Sequence, residues 1–370
     1  MDVKLTLSPL EKWIEGLDQP LVISGPCSAE SEEQVLETAR QLKEHTNIKV
    51  LRAGIWKPRT RPGAFEGIGV VGLKWLKKAK EETGLLTAVE VATAEHVELA
   101  LKFGVDILWV GARTTVNPFA VQEVADALRG YDVPVLVKNP INPDLQLWIG
   151  ALERINQAGI TKLGGIHRGF SPMSGSQYRN DPSWEIPIEL KRIVPELPIV
   201  CDPSHIAGNR TLIEPISQKA FDLQMAGIMI ESHIDPDNAL SDAKQQITPK
   251  TLAGILDRLI IREPATENVD FELRLKELRS KIDKIDNELL EVMGQRMQVA
   301  EEIAMHKKEH NITILQVNRY EELMNDRIQK GKSVLLKEEF VKHLYELIHD
   351  NSIKRQTEIM NTENKTGATA

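Results

Sequence analysis

Over its first 262 residues the chain repeats one pattern: a short apolar run closes on a charged or sulfur-bearing residue, and a helix-length, often amphipathic interval follows. The runs are Leu21 to Ser24, Lys49 to Ala53, Leu85 to Val91, Ile107 to Val110, Val135 to Lys138, Lys162 to Ile166, Ile199 to Cys201 and Gly227 to Ile230. This alternation predicts β/α units of a parallel sheet rather than hairpins. Eight runs are what a closed (β/α)8 TIM barrel requires. At or just past their ends stand Cys27, Arg52 with Lys57, Glu90, Arg113, Lys138, Arg168, Asp202 with His205, and Glu231. In such barrels the C-terminal strand ends form the active face, so these side chains are the first candidates for chemistry.

The pattern changes after Ile261. Residues 263–270 belong to a polar, proline-containing stretch of the composition expected between domains. From Phe271 to about His310, the residues Leu278, Ile282, Ile285, Leu289, Val292, Val299 and Ile303 recur at threes and fours. They predict one amphipathic helix of roughly 58 Å. Asn311 and the β-branched run Ile312 to Ile314 interrupt it, and further helices are expected over Val317 to Lys330 and Lys337 to Met360, with Gly331 as a stop signal between them. The expected organisation is an α/β barrel over 1–262, a linker over 263–270, a three-helix all-α domain over 271–360 and a disordered tail over 361–370. One copy cannot bury so long an apolar stripe, which predicts a homodimer through the helices.

Composition narrows the class. With 370 residues, 41% of them hydrophobic, two domains are expected. No apolar stretch approaches the ~20 residues of a membrane span, and the opening MDVKLTLSPLEKWIEG is broken by charges at once. Neither membrane association nor a secretory signal is expected. The two cysteines, Cys27 and Cys201, both fall at predicted strand ends, so reduced thiols and a cytoplasmic setting fit better than a disulfide framework. A formal net charge of −8 argues against nucleic acid as a partner.

Cys27, His205, Glu231 and Asp242 come from the ends of the first, seventh and eighth runs and the loop beyond. A thiolate, an imidazole and two carboxylates on one rim would make a four-ligand site for one divalent transition metal. The sulfur disfavours magnesium and calcium, leaving Mn, Fe, Co or Zn. A cationic set accompanies it: Arg52, Lys57, Arg59, Arg61, Arg113, Lys138 and Arg168. Guanidinium groups hold phosphate and carboxylate in fork geometry, so the set suits a small substrate bearing both, with room for a second phosphorylated one. In the long helix, Arg296 and Lys307 lie eleven residues apart on one face, and Arg296 shares the apolar stripe of Leu289. Cations within a seam are costly unless they meet an anion. Arg279, seventeen residues before Arg296, is roughly 25 Å away along the axis and can reach that pocket only from an antiparallel partner chain.

The segments GPCSAES, LRAGIWKPRTRPGAFEG, GART, VKNP, HRG, CDPSHIAGNR and MIESHIDPDNALSD resemble the strand-end motifs of 3-deoxy-D-arabino-heptulosonate 7-phosphate (DAHP) synthases, of the compact type shared with 3-deoxy-octulosonate 8-phosphate synthases. The resemblance implies that Cys27, His205, Glu231 and Asp242 ligate the metal. It assigns Arg52, Lys57, Arg113, Lys138 and Arg168 to phosphoenolpyruvate, and the Lys57 to Thr60 stretch, with Arg59, to erythrose 4-phosphate. Lys57 is the expected proton donor near the aldehyde oxygen. HRGFSP departs from the pattern usual after the sixth strand and leaves the part of His167 open. LRSKIDKIDNELLEVMGQRMQVAEEIAMHKK, with Ser352 and Gln356, resembles the all-helical chorismate mutases. There Arg279 of the neighbouring protomer, Arg296 and Ser352 would bind chorismate, while Lys307 and Gln356 meet the charge developing on the ether oxygen as prephenate forms. Gln316 and Tyr320 stand where many relatives carry an acidic pair. The implied protein is a bifunctional enzyme of aromatic biosynthesis with feedback through the helices. The alternatives are a non-catalytic, ligand-sensing helical domain, and a barrel that uses arabinose 5-phosphate.

Overall fold

The computed structural model describes residues 3–16, 20–57, 63, 65–172, 176–263, 265 and 267–362. The chain divides into two compact units, Met1–Pro264 and Ala265–Ala370.

In the first unit, eight parallel strands close into a barrel in chain order. They are β1 (Leu21–Gly25), β2 (Val50–Arg52), β3 (Leu86–Val91), β4 (Ile107–Val110), β5 (Val135–Lys138), β6 (Leu163–His167), β7 (Ile199–Cys201) and β8 (Gly227–Glu231). The seam is shut by β1 on β8, in register from Leu21 opposite Gly227 to Gly25 opposite Glu231. Each strand is covered on both faces, which is why the sequence shows apolar runs instead of alternation. Ile23, Val50, Ala88, Ile107, Trp109, Leu136, Ile166, Val200 and Met229 form the inner cluster. Their neighbours, such as Leu51, Val89, Leu108, Val137 and Ile228, pack outward under the helices in the larger core. The inner cluster also takes in Leu10 and Trp13, from a 3-10 turn over Leu10–Lys12 that no periodicity announced. Its indole N–H donates to Ser8 O at 2.9 Å.

Three strands, β1, β6 and β8, run one residue past the apolar runs, so that Gly25, His167 and Glu231 are themselves the last rungs, His167 opposite Cys201 and Glu231 opposite Gly25. The loop after β7 turns at once into a short helix, Pro203–Ala207, capped by Asp202, whose side chain accepts from His205 N. Hydrogen bonding of the cap to the third residue of a helix is the ordinary stop for an orphan amide. Here it also brings Asp202 and His205 together.

The second unit consists, among the described residues, of three helices: Val269–Glu309, Val317–Ser333 and Glu338–Asn361. The long one starts inside the expected linker, where Asn268 accepts from Phe271 N. With 41 residues it is about 60 Å long. The middle helix does not stop at Gly331 but continues to Ser333. A Cβ at Gly331 would lie 2.4 Å from Val341 Cγ2, so this glycine serves the close approach of the last helix and not termination. Of the long helix only Ala300 and Ala304 are buried, and Leu278, Ile282, Ile285, Leu289, Val292 and Val299 remain exposed. Asn361, expected in the tail, completes the last helix, and residues 363–370 lie outside the described residues. Among the described residues no helix is long and apolar enough to cross a membrane.

Candidate active sites

The barrel mouth is built from strand ends. β1 closes on Gly25 with φ +145°, and a Cβ there would lie 2.1 Å from Arg52 O. Only glycine permits that approach, and it sets Cys27, two residues on, over the barrel opening. Cys27, Glu231 and Asp242 offer ligand atoms that all lie within 4.8 Å of one another. His205 is not within that compass. It reaches the group through Glu231, with Nε2 3.8 Å from Oε1, while its Nδ1 is 2.8 Å from Asp202 Oδ2. Burial pushes the His205 imidazole below its ordinary pKa, against the pull of Asp202. A proton on Nδ1 facing Asp202 leaves the Nε2 lone pair toward Glu231, the tautomer a metal-binding histidine needs.

Electrostatics support the same reading of the donors. Burial, then the charge of Glu231, pushes the Cys27 thiol up to about 12. Burial would also raise Glu231, but the His205 imidazole and the Arg52 guanidinium outweigh it, and the carboxyl sits below its usual range. Asp242 is likewise held down, against burial, by His205 and Arg179. Glu231 Oε1 is buried and makes no hydrogen bond among the described residues. A divalent ion would deprotonate the thiol and take up that oxygen, so the donor set fits a transition metal.

The cations stand around this group. Arg52, 1% exposed, places Nη1 3.3 Å from Glu231 Oε1 and donates from Nη2 to Cys27 O at 3.1 Å. Lys57 donates from Nζ to Cys27 O and Sγ at 3.0 and 2.9 Å. Burial works against its ammonium, yet Cys27 and Glu231 prevail and hold the charge. Lys138 pairs with Asp202 at 2.9 Å. The Trp109 ring lies beneath both sets, 5.0 Å from the Arg52 guanidinium and 5.8 Å from Lys138 Nζ. Its indole donates to Glu90 Oε2 at 2.9 Å. Arg168 donates to Asn180 Oδ1 at 2.7 Å, and burial, aided by the charges of Arg179 and Arg113, lowers it to about 10. Arg113 is exposed at the start of the turn after β4. Arg59, Thr60 and Arg61 lie outside the described residues.

Sequence reasoning passed over three participants. Asp202 was read as a strand end only, yet it anchors both Lys138 and His205. Arg179 lies 3.1 Å from Asp242 Oδ1, and Gln245 donates to Glu231 Oε2 at 2.6 Å. Arg179 comes from an irregular loop and Gln245 from a three-residue 3-10 turn, where no periodicity marks a position. A Pro-Ser-His directly after a strand could have pointed to Asp202 as a helix cap. His167, fully buried beside the Phe170 and Trp184 rings, is not part of the ligand group.

In the helical unit, Arg296 Nη1 donates to Ser352 Oγ at 2.7 Å, and Ser352 in turn donates to Ile348 O at 2.8 Å. Lys307 donates to Ile314 O at 2.5 Å. Gln356 Oε1 and His349 Nε2 are buried without hydrogen-bond partners among the described residues. The His349 ring lies 4.5 Å from that of Tyr320, and burial, then Arg296 and Lys307, lowers its pKa. Gln316 is exposed at the start of the middle helix. Arg279 is exposed on the same long helix as Arg296 and does not join this cluster within one chain.

Comparison with known proteins follows the same division. Residues 278–357 match the model for chorismate mutase type II. The phospho-2-dehydro-3-deoxyheptonate aldolase of Thermotoga maritima is 34% identical over 226 residues, which are 61% of this chain and 64% of that protein. The chain thus spans less than two thirds of that relative's length. The 2-dehydro-3-deoxyphosphooctonate aldolase of Variovorax paradoxus is 28% identical, over 69% of this chain and 95% of that one. The crystal structure of the Thermotoga DAHP synthase superposes with a TM-score of 0.58 at 32% identity, covering 64% of this chain and 67% of the other. Residues 4–262 match the model for the DAHP synthetase I family, and the chain belongs to that family.

Proposed function

We propose that the protein is a bifunctional enzyme of aromatic biosynthesis, condensing phosphoenolpyruvate with erythrose 4-phosphate in the barrel and converting chorismate to prephenate in the helices. The observation that carries the first activity is the convergence of Cys27, Glu231 and Asp242 beside Arg52, Lys57, Lys138 and Arg168 at the strand ends. Cys27, His205, Glu231 and Asp242 would hold a divalent metal, Mn, Fe, Co or Zn, which would supply Lewis acidity for the sugar aldehyde. Arg52, Lys138, Arg168 and Arg113 bind the phosphate and carboxylate of phosphoenolpyruvate and fix its third carbon toward the aldehyde. Arg59 and Thr60 take the sugar phosphate. Lys57, held as an ammonium, gives its proton at the aldehyde oxygen as the carbon–carbon bond forms; water then adds at the second carbon of phosphoenolpyruvate, and phosphate leaves. Loss of phosphoenolpyruvate in the presence of erythrose 4-phosphate, abolished by chelation and restored by one of these ions but not by calcium, tests the assignment. No loss under any ion refutes it.

The relatives named for the octulosonate product make the aldehyde a separate question. Equal concentrations of erythrose 4-phosphate and arabinose 5-phosphate, with the products resolved by mass, decide between them, and the Lys57 to Thr60 stretch favours the four-carbon sugar.

In the helices, Arg296 with Ser352 binds a carboxylate, and Lys307 and Gln356 donate to the ether oxygen. The buried side-chain oxygen of Gln356, without a hydrogen-bond partner among the described residues, supports a polar ligand there. The exposed stripe from Leu278 to Val299 supports a homodimer whose partner supplies Arg279. Chorismate consumption by the intact protein and by Lys307→Ala separates a mutase from a ligand-sensing module. We attribute feedback control of the barrel to a ligand in this helical pocket. A synthase rate unmoved by saturating chorismate or prephenate would remove that part.

A further inference from the structure

Two of the proposed metal ligands come from loops far apart in sequence, and a buried clasp ties those loops together. Glu30 lies three residues past Cys27, its side chain 9% exposed, and among the described residues its carboxylate contacts run to Ser28, His233 and Leu240. Its Oε1 accepts from Ser28 Oγ at 3.3 Å and from Leu240 N at 2.9 Å. Its Oε2 lies 3.5 Å from His233 Nε2. His233 Nδ1 accepts from Asp235 N at 2.9 Å, so the ring proton sits on Nε2, facing Glu30. Ser28 is also hydrogen-bonded to Ser241. A second strut runs parallel to the first: the fully buried Gln246 accepts from Cys27 N at 2.9 Å and donates to Ser241 O at 2.8 Å.

The contacts of the clasp fall on a ligand residue or close beside one, as Gln246 does on Cys27 N. Ser28 follows Cys27, Leu240 and Ser241 precede Asp242, and His233 stands two residues beyond Glu231. Asp242 itself has φ +48°, a left-handed conformation uncommon for a side-chain-bearing residue. Such a conformation persists where the surroundings over-determine it. Leu240 N, Ser241 O and Ser241 Oγ are all engaged by the clasp immediately before it.

We propose that Glu30 and Gln246 are positioning residues for the metal: they fix the separation of Cys27 from Asp242, and thereby set how tightly and how long the ion is held. The proposal rests on the metal-site reading above. Partners that orient ligands from outside typically contribute about 10- to 100-fold in metal affinity.

Cobalt(II) titration of the full-length apo-protein, followed at the sulfur-to-cobalt charge-transfer band, gives affinity and thiolate ligation together. Chelator competition gives the off-rate. Glu30→Ala and Gln246→Leu are each expected to weaken cobalt about tenfold or more and to speed its release, with the band per bound cobalt retained and the melting of the metal-free barrel little changed. Glu30→Gln and Gln246→Glu, which keep an acceptor in place, are expected to fall between these and the parent, and they serve if the first pair does not fold. Affinities and off-rates within about twofold of the parent in both foldable variants overturn the proposal. Loss of affinity only in step with lost barrel stability also overturns it, since that is general loosening. A band that survives Cys27→Ser would bring down the metal-site reading itself, and the clasp's role with it.

Discussion

Asp202→Asn removes the charge on which two other residues of the mouth depend. The Asp202 carboxylate is fully buried, 2.9 Å from Lys138 Nζ and 2.8 Å from His205 Nδ1. Lys138 is itself 3% exposed, so the amide leaves an ammonium enclosed without its counter-ion. Removing one member of a buried pair costs about 3–5 kcal/mol. For a domain of this size that corresponds to a fall in melting temperature of about 6–20 °C. The assay isolates the barrel, because all six tryptophans lie between Trp13 and Trp184 and their fluorescence follows that unit alone. Lys138→Met added to Asp202→Asn removes the stranded charge, and the double variant is expected to be more stable than Asp202→Asn by itself. The pH dependence has a definite sign. Burial would raise Asp202, but His205 and Lys138 hold it well below its ordinary 3.8. Its contribution is therefore complete above the unfolded value and is lost as pH falls through the lower, folded value. The deficit of Asp202→Asn should stay constant from about pH 8 to pH 5 and shrink only in stronger acid. A loss below about 1 kcal/mol, or a double variant less stable than the single one, would refute the argument.

Gly331→Ala tests the helix contact by sign: in open space alanine would stabilise a helix by about 1 kcal/mol, whereas the 2.4 Å approach to Val341 Cγ2 predicts about 1–3 kcal/mol of destabilisation, read by far-UV circular dichroism in the transition that tryptophan does not report. Burial, reinforced by Arg168, lowers His167 to about 3, so the folded state refuses a proton that the unfolded chain accepts below 6.5. Barrel stability should fall from about pH 6.5 to pH 5 by about 1.4 kcal/mol per unit from this group, and His167→Phe should flatten the profile; a profile unchanged in that variant would exclude the histidine as its source. On the proposed dimer, Leu289→Lys, placed in the exposed stripe, is expected to shift the protein to monomers in light scattering and to abolish chorismate turnover, because Arg279 would then have no partner site to enter. A variant that stays dimeric and active would place the interface elsewhere.

The barrel was legible because strands buried on both faces must be apolar runs, and because a chain leaving such a barrel puts its polar residues at the mouth. Lys138 ends its strand in the structure as in the sequence pattern, and Glu231 ends its strand one residue past the apolar run. The family follows from residues 4–262, and the strand-end cysteine, acids and cations could be named as candidates one loop at a time. Spacing along the chain contains no measure of how loops approach one another. Asp202 as the common anchor of Lys138 and His205, Arg179 against Asp242, and the Glu30 clasp join segments 63 to 210 residues apart or couple a cap to a distant strand, and only closure of the barrel brings them within hydrogen-bond reach. Gly331 shows the same limit on a smaller scale. As a letter it signals a helix end, and the proximity of Val341 makes it a contact instead. Local chemistry thus determined which residues could act and where the strands would lie; tertiary packing decided which of them meet, because separation in space is set by the closed sheet and the helix crossings rather than by order in the chain.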